Sequence, residues 1–308
     1  MTKGILLVNL GTPAAPTTEA VRSYLSEFLG DPLVIQKPRI LWLPILHGII
    51  LRVRPKKSAE LYKKIWTDEG SPLMYYTVKQ AEELQKELPD TLVKYAMTYG
   101  EPKIETELQA LRELGAEEIT VIPLYPQYSV TTTEPIIRQV QKVGLENVKI
   151  IHEFYDRAGY AELLAKGIRE KWQKGNYDKL VLSYHGIPVE YVKKGDAYEA
   201  QCIDTTDRLA KVLPEIGREN MIHCYQSKFG PDEWLKPATS DILKMLPKRG
   251  VKKVLVVTPA FVSDCIETLE EILVENKEYF METGGEVFDF VHPLNDDPDF
   301  AKFLTTIV

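Results

Sequence analysis

Apolar residues along this chain gather into short unbroken runs, each closed by a turn former, and do not alternate with polar ones. GILLVNLG at 4–11, LVKYAMTYG at 92–100, EEITVIPLYP at 117–126 and VKIIHEF at 148–154 make a first set. KLVLSYHG at 179–186, NMIHCYQS at 220–227, KKVLVVTPAF at 252–261 and EVFDFVHPL at 286–294 make a second. Runs of this length bounded by Gly or Pro fit strands buried on both faces, as in a parallel sheet. Segments of helical period separate most of them: 75–88, 106–114, 161–174 and 267–280. Strand and helix in alternation predict an α/β fold of two Rossmann-like, doubly wound domains, each with a parallel four-stranded sheet. The expected domains are 1–155 and 156–308.

The ends of the runs match in order, which suggests a duplication. NLGTP at 9–13 leaves its strand by the same Gly-x-Pro exit as YHGIP at 184–188, and TYGEP at 98–102 stands where KFGPDEW at 228–234 stands. The halves differ in one respect. Gly11 and Gly100 are 89 residues apart, whereas Gly186 and Gly230 are only 44 apart, so the first half carries an insertion at about 23–73. It contains PRILWLPILHGIILRVRPKK, an apolar stretch that ends in Arg52, Arg54, Lys56 and Lys57. Such a stretch is either a core helix with a solvated basic end or an apolar lip that meets a flat ligand or a bilayer.

Composition narrows the function. A formal net charge of −7 disfavours a nucleic-acid partner, whose phosphates would require a basic face. Cys202, Cys224 and Cys265 stand far apart, so neither a zinc knuckle nor a disulfide framework is suggested. The apolar run after Lys3 is too brief for a signal peptide or a membrane span, and a cytoplasmic protein is expected. There is no G-x-G-x-x-G, P-loop or G-x-S-x-G pattern to support nucleotide binding or serine hydrolysis.

Ligands of open α/β sheets sit beyond the carboxyl ends of the strands, which here end near Leu10, Tyr99, Tyr125, His185, Ser227 and Phe261. Imidazole at such a place binds a transition metal, accepts a proton, or simply hydrogen-bonds the chain end. SDCIETLEEILVENKEYF at 263–280 places Glu267, Glu271 and Glu275 four residues apart on one helix face. Like charges so spaced cost an isolated helix roughly 0.2–0.5 kcal/mol per pair. Asp264 and Glu267 have the spacing of a capping box, which leaves Glu271 and Glu275 unexplained. A carboxylate column of this kind can pass on protons or hard cations.

At these residues the chain resembles the ferrochelatases. LVNLGTP at 7–13, GSPL at 70–73, LYPQYS at 124–129, LSYHGIP at 182–188, QSKFGPDEWLKP at 226–237 and SDCIETLEEI at 263–272 look like that family's motifs in that family's order. The resemblance implies a class II chelatase fold of two domains around a porphyrin cleft, with Fe²⁺ as a substrate. It implies His185 and Glu267 as the catalytic, metal-facing pair, with Glu271 and Glu275 as a relay. It also implies Leu10, Ser71, Tyr128 and Trp234 as porphyrin contacts. Many family members hold a [2Fe–2S] cluster through four cysteines, but here Val130 follows LYPQYS where some have a cysteine and no cysteine follows Cys265, so cofactors bound permanently are not expected. Relatives that use coproporphyrin tend to carry tyrosine where Leu10 stands, which favours protoporphyrin IX as the substrate. The alternatives are a coproporphyrin III ferrochelatase and a non-catalytic porphyrin or haem carrier, to which the Glu267–Glu275 column would be of no use. Peripheral membrane contact through the lip is a further expectation.

Overall fold

The structure, a computed structural model, describes residues 2–308 and contains two compact units. One runs up to His152 and takes in Asn295–Val308; the other is Glu153–Leu294. The C-terminal segment thus joins the first unit, where 156–308 had been expected to form the second domain. The cause is an amphipathic helix whose Phe300, Ala301, Phe303 and Leu304 are buried.

The first unit holds strands β1 (Lys3–Asn9), β2 (Thr91–Met97), β3 (Glu118–Pro123) and β4 (Val148–Ile150). Its helices are α1 (Thr18–Gly30), α2 (Arg39–Ile45), α3 (Leu51–Ile65), α4 (Pro72–Glu87), α5 (Ile104–Glu113) and α6 (Thr133–Val143). A π-helical turn, π1 (Leu46–Ile50), joins α2 to α3. The second unit holds β5 (Lys179–His185), β6 (Met221–Gln226), β7 (Lys253–Val257) and β8 (Val287–Val291). Around them lie α7 (Tyr160–Lys174), α8 (Val189–Lys193), α9 (Tyr198–Val212), α10 (Thr239–Met245), the π-helix π2 (Glu267–Asn276) and α11 (Lys277–Glu282). The last helix, α12 (Pro298–Thr305), packs on α4, and Gln80 of α4 donates to the carbonyl of Asn295 at 2.8 Å.

Both sheets are parallel, and their strand orders, β2-β1-β3-β4 and β6-β5-β7-β8, are one topology written twice. Each core lies where the apolar runs predict it: Leu6, Val8, Ala96 and Val121 in one unit, and Val181, Cys224, Val254 and Val256 in the other. The Gly-x-Pro exits share a physical cause. A Cβ on Gly11, which has φ +109°, would meet the Tyr99 carbonyl oxygen at 1.8 Å, and one on Gly186 would meet that of Gln226 at 2.8 Å. Neither strand exit has room for a side chain.

The lip segment is helical from Arg39 to Ile65. From Trp42 to Ala59 its buried residues Trp42, Leu46, Leu51, Pro55 and Ala59 are spaced by four except for one step of five, from Leu46 to Leu51, and Tyr62 and Ile65 follow at steps of three. A five-residue step overshoots an α-helical turn. The π turn absorbs the surplus residue and returns Leu51 to the buried face. Trp42 is fixed there by its indole N–H, which donates to the Leu29 carbonyl at 2.7 Å. The outward face is also apolar: Ile40, Leu41, Ile45, Ile49 and Val53 are 44% to 83% exposed.

Candidate functional site

In the second unit the chemistry gathers at the ends of β5 and β6. His185 closes β5 opposite Gln226 at the end of β6. Its Nδ1 lies 2.7 Å from the Gly186 carbonyl oxygen. A carbonyl only accepts, so Nδ1 carries a proton, and a lone pair for a ligand is available only at Nε2. The Phe261 ring packs 6.4 Å from the imidazole. Trp234 pairs with Pro188 across an isolated bridge and leans over Gly186, and its indole N–H is buried without a hydrogen-bond partner.

Glu267 begins π2. In the turn that leads into Glu267, the Thr268 hydroxyl accepts the Cys265 N–H at 2.9 Å, while Asp264 accepts from the Thr268 hydroxyl at 2.7 Å and from His292 at 2.8 Å. Cys265 is a buried thiol beside Glu267, and burial together with the charge of Glu267 holds that thiol protonated. The helix that bears the three glutamates is π where sequence periodicity suggested α: the Lys277 N–H reaches the Ile272 carbonyl, five residues back. The Asn276 side chain donates to the Glu271 carbonyl at 2.8 Å, and Gln226 donates to that of Glu267 at 3.0 Å.

The column is graded in burial. Glu267 and Glu271 are half-buried and Glu275 is exposed, where it accepts from Tyr279. Glu271 is clamped by Ser227, which gives it a backbone N–H at 2.6 Å and its hydroxyl. Ser227 adopts φ +67°, a left-handed conformation that aims both donors at the carboxylate. Burial pushes the Glu271 carboxyl up and the charge of Glu267 adds to this, against the Ser227 hydrogen bonds and the attraction of His185. His185 and Glu267 therefore both lie near enough to Glu271 for their charges to act on it. Among the described residues, no three His, Cys, Asp or Glu side chains gather closely enough to hold a metal ion by themselves.

In the first unit, Leu10 occupies the strand-end place that His185 has in the second. It is half-buried, with its N–H bonded to the Asn9 side chain and its carbonyl to the Tyr99 N–H. Ser71 is buried at the start of α4 and accepts from the Thr12 hydroxyl at 2.8 Å. Tyr128 is half-buried, its hydroxyl on Glu134 at 3.2 Å and its ring near His152. Tyr99 is a buried structural residue, bonded through its hydroxyl to Asp31. Sequence reasoning passed over Gln226 and Ser183 as site residues. The one trace of Gln226 was its place at the head of the QSKFGPDEW motif.

Known proteins resemble this chain over nearly its whole length. The ferrochelatase family model matches residues 2–308. The chain is 61% identical to a protein of Lactococcus lactis subsp. cremoris (strain SK11) named coproporphyrin III ferrochelatase, over 99% of this chain and 96% of that one. It is 48% identical to the coproporphyrin III ferrochelatase of Enterococcus faecalis (strain ATCC 700802 / V583), over 99% and 98%. It is 45% identical to the ferrochelatase of Teredinibacter turnerae (strain ATCC 39867 / T7901), over 99% and 86%. Among solved structures, SirB from Bacillus subtilis with Fe³⁺ has a TM-score of 0.57 at 14% identity, covering 100% of this chain and 94% of that one, which shows a shared chelatase fold. The chain belongs to the ferrochelatase family and is an iron-inserting chelatase of haem biosynthesis.

Proposed function

We propose that the enzyme inserts Fe²⁺ into coproporphyrin III. The observation that carries this reading is the 61% identity, over nearly the whole chain, to a protein named for that substrate. It outweighs the inference from Leu10 to protoporphyrin IX. That inference rests on one apolar side chain at the end of β1 and does not bear on the propionates that coproporphyrin carries in place of vinyl groups. Leu10, Ser71, Tyr128 and Trp234 remain the proposed porphyrin contacts. The test is kcat/KM for anaerobic Fe²⁺ insertion with each porphyrin: coproporphyrin III is preferred by tenfold or more on this reading, as a difference of about 1.4 kcal/mol would give. A preference for protoporphyrin IX overturns it.

Insertion exchanges the pyrrole N–H protons for the metal, so the site must both deliver Fe²⁺ and remove protons. His185 is the iron-delivering group. An imidazole that donates one ring N–H to a carbonyl, as His185 does to Gly186, presents its other nitrogen as a fixed ligand. A single nitrogen ligand also suits an ion that has to leave for the porphyrin. Glu267 takes the protons, and Glu271 and Glu275 carry them outward. The raised affinity of Glu271 for a proton and the fall in burial towards Glu275 both favour that direction. A carrier would need neither column nor gradient.

The lip is the proposed contact with an anionic membrane surface. Its exposed Ile40, Leu41, Ile45, Ile49 and Val53 lie beside exposed Arg52, Lys56 and Lys57, a local basic cluster on a chain of net charge −7. Apolar and basic residues together on one helix are the composition of an interfacial helix. Among the described residues no helix is long and apolar enough to cross a membrane. Co-sedimentation with phosphatidylglycerol vesicles tests the reading. Wild type binds and the Ile45→Asp/Ile49→Asp variant does not; equal recovery of both in the supernatant contradicts it.

A further inference from the structure

Gln226 makes contact with both parts of the chemistry at once. Its backbone carbonyl accepts the Gly186 N–H at 2.8 Å, and the Gly186 carbonyl in turn orients the His185 ring. Its side-chain amide reaches the other way, donating to the Glu267 carbonyl at 3.0 Å and to Glu271 Oε2 at 3.3 Å. We propose that Gln226 is a positioning residue for metal insertion, fixing the imidazole of His185 relative to the first turn of the π-helix that carries Glu267.

The amide is itself held in one orientation. Ser183 Oγ donates to Gln226 Oε1 at 2.8 Å and is bonded to Thr239 Oγ1 at 2.7 Å. Ser183 and Thr239 are fully buried and Gln226 is 3% exposed. An acceptor is needed towards Ser183 and a donor towards two oxygens, and only a carboxamide supplies both ends. A carboxylate here could not donate to the Glu267 carbonyl and would face Glu271 with like charge. A thioether of similar length would leave the Ser183 hydroxyl and the Glu267 carbonyl without this partner. The chain Thr239–Ser183–Gln226 thus runs from α10 through β5 and β6 to the start of π2. It also helps to account for a π-helix at this place, since the Glu267 carbonyl is satisfied from outside the helix.

The inference rests on the reading of His185 and Glu267 as the acting pair. Three variants separate it from that reading: Gln226→Met, Ser183→Ala and the double variant, each measured for kcat, for KM of porphyrin and Fe²⁺, and for Tm. Misplacing reacting groups by about 1 Å costs on the order of 100-fold, so kcat of Gln226→Met is expected to fall 10-fold to 100-fold, with porphyrin KM within about 2-fold of wild type. Ser183→Ala falls less, and the double variant falls no further than Gln226→Met, because both act through one chain. A kcat within 2-fold of wild type beside a lowered Tm makes Gln226 a packing residue and overturns the proposal. Should Gln226→Met fail to fold, Ser183→Ala decides alone: reduced kcat at unchanged porphyrin KM supports it, and unchanged kcat refutes it. Full activity in His185→Ala or Glu267→Gln would instead sink the reading on which the inference is built.

Discussion

Replacing Gly186 with alanine tests how tightly the strand exit governs the site. The added Cβ would lie 2.8 Å from the Gln226 carbonyl oxygen and 3.3 Å from Trp234 Cε3. Ordinary contact begins near 3.4 Å, so the two strand ends must part by about 0.6 Å. Overpacking of this kind costs about 1–3 kcal/mol, and loss of the Gly186 N–H to Gln226 bond adds about 1 kcal/mol. Destabilisation of about 2–4 kcal/mol is expected. The same displacement moves the carbonyl that orients His185, so kcat should fall by about 10-fold or more. Urea denaturation, followed by far-UV circular dichroism, gives the first quantity, and anaerobic Fe²⁺ insertion gives the second. A Gly186→Ala variant with wild-type midpoint and wild-type kcat would refute the packing argument. Loss of stability with kcat intact would show that His185 is oriented by something other than this carbonyl.

Further outcomes follow from other parts of the fold. Burial, with Arg218 nearby, pushes the His223 imidazole down to about 4, so its neutral form supports the fold fully above the ordinary value of 6.5 and that support is lost as pH falls towards 4. At 1.36 kcal/mol per pH unit this amounts to at most about 3 kcal/mol, and urea midpoints of wild type and His223→Phe should converge between pH 7 and pH 4. A midpoint difference that is constant with pH contradicts the assignment. Deleting Gly48 removes the surplus residue absorbed by π1 and leaves Trp42, Leu46 and Leu51 at a regular four-residue spacing. That variant is expected to melt within a few degrees of wild type, and collapse of the fold would show that the π turn does more than correct register. Ser227→Gly keeps the left-handed backbone but loses the hydroxyl on Glu271, so kcat should fall while Tm holds; an unchanged kcat separates Glu271 from the reaction.

The sheets were readable in the sequence because strands buried on both faces have to be continuously apolar, and all eight runs became strands. Their duplication was readable for a related reason: a strand exit too crowded for a Cβ admits only glycine, and Gly11 and Gly186 mark that place in each half. The π character of 267–276 was not readable. A four-residue glutamate spacing suits either helix, and what satisfies the Glu267 carbonyl is a side chain 41 positions away on another strand. The partners of Asp264 were hidden in the same way, since Thr268 lies nearby but His292 comes from beyond β8. The C-terminal helix was visible as an amphipathic segment, but which surface receives its buried Phe300, Ala301, Phe303 and Leu304 is set by α4, more than 200 residues away, and no local pattern reports it. Substrate choice is not legible at Leu10, because a single apolar strand-end residue does not decide between two porphyrins that differ in their propionates.

The most direct test of the account is single-turnover, anaerobic Fe²⁺ insertion into coproporphyrin III by wild type, His185→Ala and Glu267→Gln, with porphyrin binding followed in parallel by fluorescence. Both variants are expected still to bind porphyrin, His185→Ala to require far more Fe²⁺ to reach its maximal rate, and Glu267→Gln to be slow at every Fe²⁺ concentration. Wild-type rates in both variants, or a wild type that binds porphyrin and never metallates it, would contradict it.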